Sequence, residues 1–130
     1  DAAVALASIL ERASELEDEL LRAALHGVRD AGHERAEATL VAHLAHACAE
    51  VRLAALAALR DLRSVQTTTS VRVMLTDDDV RVRLLALSVL ERHGQRADGA
   101  AVQERLKDPD ARVRAMARDT ARALGAAAAA

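Results

Sequence analysis

The chain has 130 residues, 18 basic against 20 acidic side chains, a net charge of −2, and 52% hydrophobic residues without one Phe, Trp or Tyr. That length supports a single modest core. The balanced charge argues against a protein built to neutralise phosphates, and the missing rings remove platforms for stacking bases or caging a quaternary ammonium group.

Thirty-two alanines imply a shallow core of Leu, Val and Ala, and the lone Cys48 rules out an internal disulfide and fits a reducing, cytoplasmic setting. The chain opens at Asp1 with DAAVALASILER, without an initiating Met or a basic leader, as expected of a processed product or a piece of a longer chain. No run of 18 apolar residues is free of charge, so no membrane span is expected. Val4, Leu6, Ile9 and Leu10 give the first helix more apolar positions than the end of a stack needs. Either that end packs on something else, or an Ala-rich helix simply shows a wide stripe.

The rest of the chain repeats. Residues 108–125, DPDARVRAMARDTARALG, align without a gap on 77–94, DDDVRVRLLALSVLERHG, with seven of eighteen positions identical. Further steps of 31 residues reach 46–63 and 15–32. Leu20, Val51, Val82 and Val113 form one column, and Ala24, Ala55, Ala86 and Ala117 another. Such spacing predicts four units, 1–32, 33–63, 64–94 and 95–125, in one domain over 1–125, followed by an uninformative poly-Ala tail at 126–130. Within 77–94, Val82, Leu85, Ala86, Val89 and Leu90 follow the 3.6-residue helical period. The preceding helix of each unit is marked by Ile9, Leu40, Val71 and Val102, and by Leu44, Leu75 and Leu106. Thr67 to Ser70 weaken the third of these helices. Asp108 with Pro109 predicts a helix N-cap and first turn, and Gly32, Gly94 and Gly125 predict left-handed C-caps. The fold class expected is all-α, two helices per unit.

The segments 108–125 and 77–94, an Asp-containing turn followed by Val-Arg, Ala and a closing Gly, resemble the HEAT repeat, in the short form of phycobilisome lyases and bacterial scaffolds. The match weakens at 46–63, where His46 and Cys48 replace the Asp pair, and at 15–32, where Leu21 replaces the Arg. The resemblance implies an α-α superhelix, a solenoid of four two-helix repeats. It also implies a structural ladder in which Arg52, Arg83 and Arg114 reach turn aspartates of neighbouring repeats, with Asp79 and Asp110 as acceptors. The second helices of such a solenoid line the concave side. There the columns Glu19, Glu50, Arg81, Arg112 and Arg29, Arg60, Glu91, Arg122 offer a grip for an acidic, extended protein partner. An ordinary solvated face is the competing reading.

Chemistry has less to stand on. His43, His46 and Cys48 are the only residues grouped like metal ligands; a fourth is missing and a packing role is the expectation, as for His93 in the column of Leu62 and Leu124. No phosphate loop, zinc signature or nucleophile elbow occurs, so no catalytic residue, cofactor or metal is expected. Residues 1–50 carry ten acids and four bases, residues 51–130 ten acids and fourteen bases. That division fits steering of a partner or head-to-tail self-association, with random scatter as the alternative. The function expected is a non-catalytic protein–protein interaction scaffold or adaptor, whether a whole protein or a fragment of a larger chain. The alternative is a subunit or regulatory domain of an enzyme of the phycobilin-lyase kind; a nucleic-acid-binding helical repeat is disfavoured by charge and by the single Lys107.

Overall fold

The computed structural model describes residues 12, 15, 30–62 and 64–129. The chain divides into two compact units, 1–65 and 66–130. All regular structure among the described residues is helical. In the first unit, α1 (Asp30–His43) packs on α2 (Ala49–Asp61). In the second, α3 (Thr69–Val73) runs into a 3-10 turn at Met74–Thr76 and packs on α4 (Val80–His93). A 3-10 turn at Arg96–Asp98 leads into α5 (Gly99–Glu104), a further 3-10 turn at Arg105–Lys107 follows, and α6 (Ala111–Ala129) lies against both α4 and α5. The helices α2, α4 and α6 start at Ala49, Val80 and Ala111, 31 residues apart.

The predicted columns are the core. Val51 is 7% exposed and Val82 and Val113 are fully buried, as are Ala55, Ala86 and Ala117. Leu40, Val71 and Val102 are also fully buried; Leu44 and Leu75 are nearly so, while Leu106 is half-buried. Leu20, Ala24 and Ile9, the first members of their columns, and the apolar stripe of the first helix lie outside the described residues. An alanine at each of these helix crossings leaves no room for a longer side chain, because close-packed interiors hold few voids. Ala86→Leu is therefore expected to cost roughly 1–3 kcal/mol through overpacking. Chemical denaturation checks it, and an unchanged midpoint would contradict the close approach at Ala86.

The first helix of each pair is shorter in the second unit, and the reason is local. The α-helical part of α3 is five residues long, preceded by Thr67 and Thr68, and tightens into a 3-10 turn. Short hydroxyl side chains compete with the backbone for hydrogen bonds and disfavour a long helix there.

Three terminus expectations are corrected. Gly32 lies inside α1 and Gly125 inside α6, so neither closes a helix. Ala126 to Ala129 are strong helix formers and carry α6 past the glycine. Gly94 does cap α4, but with φ −60° and ψ 153°, an extended rather than left-handed conformation. It is required there by space: a Cβ would collide with the Leu90 carbonyl oxygen and stand 2.7 Å from the Leu124 side chain. The N-cap also shifts by two residues. The Asp110 carboxylate accepts from the Arg112 N–H at 2.8 Å, so Asp110 caps α6, while Asp108 and Pro109 precede the cap.

Candidate interaction surface

The turns that precede α2, α4 and α6 share one design. At each, a side chain accepts from the backbone N–H two residues on: His46 Nδ1 from Cys48, Asp77 Oδ1 from Asp79 and Asp108 Oδ1 from Asp110, each at 2.9 Å. Six residues after that acceptor, an arginine closes the turn from the other side. Arg52 Nη1 donates to the His46 and Ala47 carbonyls, Arg83 Nη1 to Asp77 and Asp78, and Arg114 Nη1 to Asp108 and Pro109, at 2.7 to 3.3 Å. These carbonyls lie outside the helical ladder and need a partner if half-buried. A guanidinium fork can serve two at once.

The arginine ladder takes a different acceptor from the one expected. Arg83 pairs through Nε and Nη2 with Asp108, at 3.0 and 3.3 Å, and not with Asp79 or Asp110. Those two are occupied as N-caps. Asp79 accepts from the Arg81 backbone N–H at 2.8 Å and from the Arg81 guanidinium at 3.1 and 2.8 Å. Asp110 does the same for Arg112 at 2.8, 3.2 and 3.0 Å. The guanidinium bonds and capping N–H groups pull both carboxyls down to about 2 from an ordinary 3.8. Arg81 and Arg112 thereby spend their fork on their own helix caps, a compensated pair rather than an open grip for an acidic partner.

Asp108 is the junction of the second unit. Its side chain is fully buried and holds Arg83, Arg105 at 3.2 Å and the Asp110 N–H. Burial alone would raise its pKa; the Asp110 N–H and the Arg83 guanidinium outweigh it and hold the carboxyl below its ordinary value. A second buried carboxylate, Asp98, was not singled out by the sequence. It accepts from Thr68 Oγ1 at 2.6 Å, Arg72 Nε at 2.9 Å and Nη2 at 2.7 Å, and the Gln95 N–H at 2.7 Å. The sites that draw α3 to α5 and α4 to α6 are thus each a buried aspartate with an arginine 25 or 26 residues before it.

No protein-family model, curated protein or solved structure matches this chain.

The outward column is mixed in sign. Arg60 is part-exposed and lies 3.3 Å from Asp61; Glu91 is exposed; Arg122 is 82% exposed with Asp119 only at 4.0 Å. Arg29 lies outside the described residues. Glu91 and Arg122 sit on the packed helices α4 and α6. Arg96, Gly99, Gln103, Ala121, Leu124 and Gly125, from the Arg96–Asp98 turn, α5 and α6, line a shallow groove of about 190 Å³, below the range of about 300–1,000 Å³ for small-molecule sites.

His43, His46 and Cys48 do not converge on one point. His43 Nδ1 lies 2.8 Å from the Thr39 carbonyl, whereas the His46 ring is turned to the Cys48 N–H. Among the described residues no group of three or more His, Cys, Asp or Glu is placed to hold a metal ion. His46 instead stands in for an aspartate, using its unprotonated Nδ1 as acceptor. His46→Asp is expected to raise stability by about 0.5–1 kcal/mol, by adding a better acceptor and a negative charge at the start of α2. His46→Ala should lower it by a similar amount. Two unchanged denaturation midpoints would show that the Cys48 N–H bond does not hold this turn. Neither could the sequence alone foresee this substitution of roles, because an imidazole in an aspartate column reads first as a ligand or a packing residue.

Proposed function

We propose that this chain is a HEAT-like solenoid of four repeats acting as a non-catalytic adaptor, with its second-helix face as the surface that receives a protein partner. One observation carries the reading: the same turn, with its acceptor and its closing arginine, recurs three times at a spacing of 31 residues, and the Arg83–Asp108 pair joins two successive turns. Repeats of this kind bury their apolar faces only against neighbours, which leaves one long face of the second helices for binding. The buried carboxylates Asp98 and Asp108 are committed to such joints, and the groove beside α6 is small. On this face the part-exposed Arg60 and the exposed Glu91 and Arg122 would choose the partner. Among the described residues no helix is long and apolar enough to cross a membrane.

The test is comparative capture from a lysate of the source organism, with Arg60→Glu combined with Glu91→Arg as the variant. Equal helicity by circular dichroism comes first. A protein retained by the wild-type chain and lost by the variant is the expected result. A protein captured equally by both would move the binding surface off this face, and capture of none would overturn the adaptor reading.

A further inference from the structure

The last described helix departs from the repeat on one stripe. On α4, Arg83 and Leu87 stand four residues apart and face α6: Arg83 closes on Asp108, and Leu87 is fully buried, its carbonyl accepting from Thr120 Oγ1 at 3.2 Å. Their counterparts 31 residues on are Arg114 and Arg118, and Arg122 continues the stripe. Arg114 is half-buried and keeps its bonds to the turn carbonyls, but pairs with no carboxylate among the described residues. The Arg118 side chain is exposed and makes no hydrogen bond or ion pair among the described residues. Arg122 is 82% exposed. Three guanidinium groups at i, i+4 and i+8 thus occupy about 12 Å of one helix face.

Arg118 in the place of Leu87 changes what this face can accept. Another repeat of the same kind would bury an unpaired guanidinium, and desolvating a charge without a partner is costly. The stripe calls for carboxylates at matching intervals. This chain contains such a set: Glu11, Glu15 and Glu19 have the same i, i+4, i+8 spacing, and residues 11–19 hold five acids against one base. Glu15, the middle one, is exposed. Over 111–129, by contrast, four arginines face one acid, Asp119.

We propose that the Arg114–Arg118–Arg122 stripe docks the Glu11–Glu19 segment of a second copy of this chain, so that the protein self-associates head to tail. The contact joins two different patches, so it propagates into open assemblies unless a reciprocal pair of contacts closes a dimer. It shares Arg122 with the adaptor surface but does not rest on that reading, since its centre, Arg118, and its acidic complement, Glu11 to Glu19, lie outside the Arg60–Glu91–Arg122 column.

Sedimentation velocity of the full chain over a range of concentrations tests it. The wild type is expected to form dimers or larger species, with association roughly tenfold weaker at about 1 M salt, where the Debye length is about 3 Å. Arg118→Glu with Arg122→Glu is expected to be monomeric, and so is Glu11→Arg with Glu15→Arg and Glu19→Arg. An equimolar mixture of those two charge-reversed proteins should associate again, because each now offers the complement of the other. Should either reversal lose helicity, Arg118→Gln with Arg122→Gln replaces it, with loss of the salt-sensitive association as the expected result. A wild type that stays monomeric overturns the proposal. So does association that survives the arginine reversal, or a mixture that fails to assemble.

Discussion

Asp108→Ala is expected to lower the unfolding free energy by about 3–5 kcal/mol, the range for breaking a buried ion pair from one side. The variant removes the acceptor for Arg83, Arg105 and the Asp110 N–H together. Arg83 and Arg105, whose side chains are 14% and 21% exposed, would keep their charges in a half-dry site. Urea unfolding, followed by circular dichroism, gives the difference from the midpoint at constant slope. A change below about 1 kcal/mol, the size typical of an exposed pair, would show that the site is wetter than its burial implies. Arg83→Met combined with Asp108→Ala should cost less than the two changes summed, since each single change strands the other partner.

The same residue contributes to the acid side of the stability curve. Asp79, Asp108 and Asp110 all have carboxyl groups held below their ordinary value in the folded chain. The unfolded chain therefore binds protons first as the pH falls. Their stabilisation is complete above the ordinary value of 3.8 and is lost on the way down to about 2, the value for Asp79 and Asp110. Removing Asp108 should make the acid limb shallower as the pH falls below 3.8, with little change in shape near neutrality.

The core was legible because its signal is periodic. Val51, Val82 and Val113, with Ala55, Ala86 and Ala117, repeat at one spacing, and all six are buried. A column of one residue type at a helical crossing can hardly be read otherwise. The polar joints were less legible for two different reasons. Asp77 and Asp79, like Asp108 and Asp110, stand two residues apart in one turn, and spacing alone cannot tell the cap from the ladder acceptor. That choice is made by the Arg81 and Arg112 forks, which fold back on the nearer carboxylate. Asp98 carries no periodic mark: the residues one and two repeats before it are Thr67 and Ala36. In the sequence GQRADGAA it reads as a solvated loop charge, and its partners Thr68 and Arg72 are 30 and 26 residues away. The glycines misled for the opposite reason. Their spacing is regular, yet Gly94 answers to a steric limit, while Gly125 has open space around it and a helix-forming tail after it.

Asp98 is for that reason the sharper test of how this fold is joined. Its carboxylate is fully buried, and all its bonds come from within the second unit: one hydroxyl, one backbone N–H and the Arg72 fork. It both closes the 3-10 turn Arg96–Asp98 that leads into α5, through the Gln95 N–H, and ties that turn to α3. Asp98→Ala is expected to cost about 3–5 kcal/mol, as for Asp108. Thr68→Val, which removes one of the four bonds to the carboxylate, should cost less, about 1.5–3 kcal/mol for a hydrogen bond to a charged group. Asp98→Asn separates charge from shape. The amide keeps the size of the carboxylate but turns a donor toward Thr68, Arg72 or Gln95, all of which already donate. The Asn variant should therefore fall close to Ala and below Thr68→Val in stability. Amide hydrogen exchange localises the damage: α3 and α5 should lose protection first, with α4 and α6 held longer by Asp108. If Asn were tolerated as well as the native carboxylate, the joint would depend on shape alone, and the Arg72 pair would contribute no more than an ordinary surface contact.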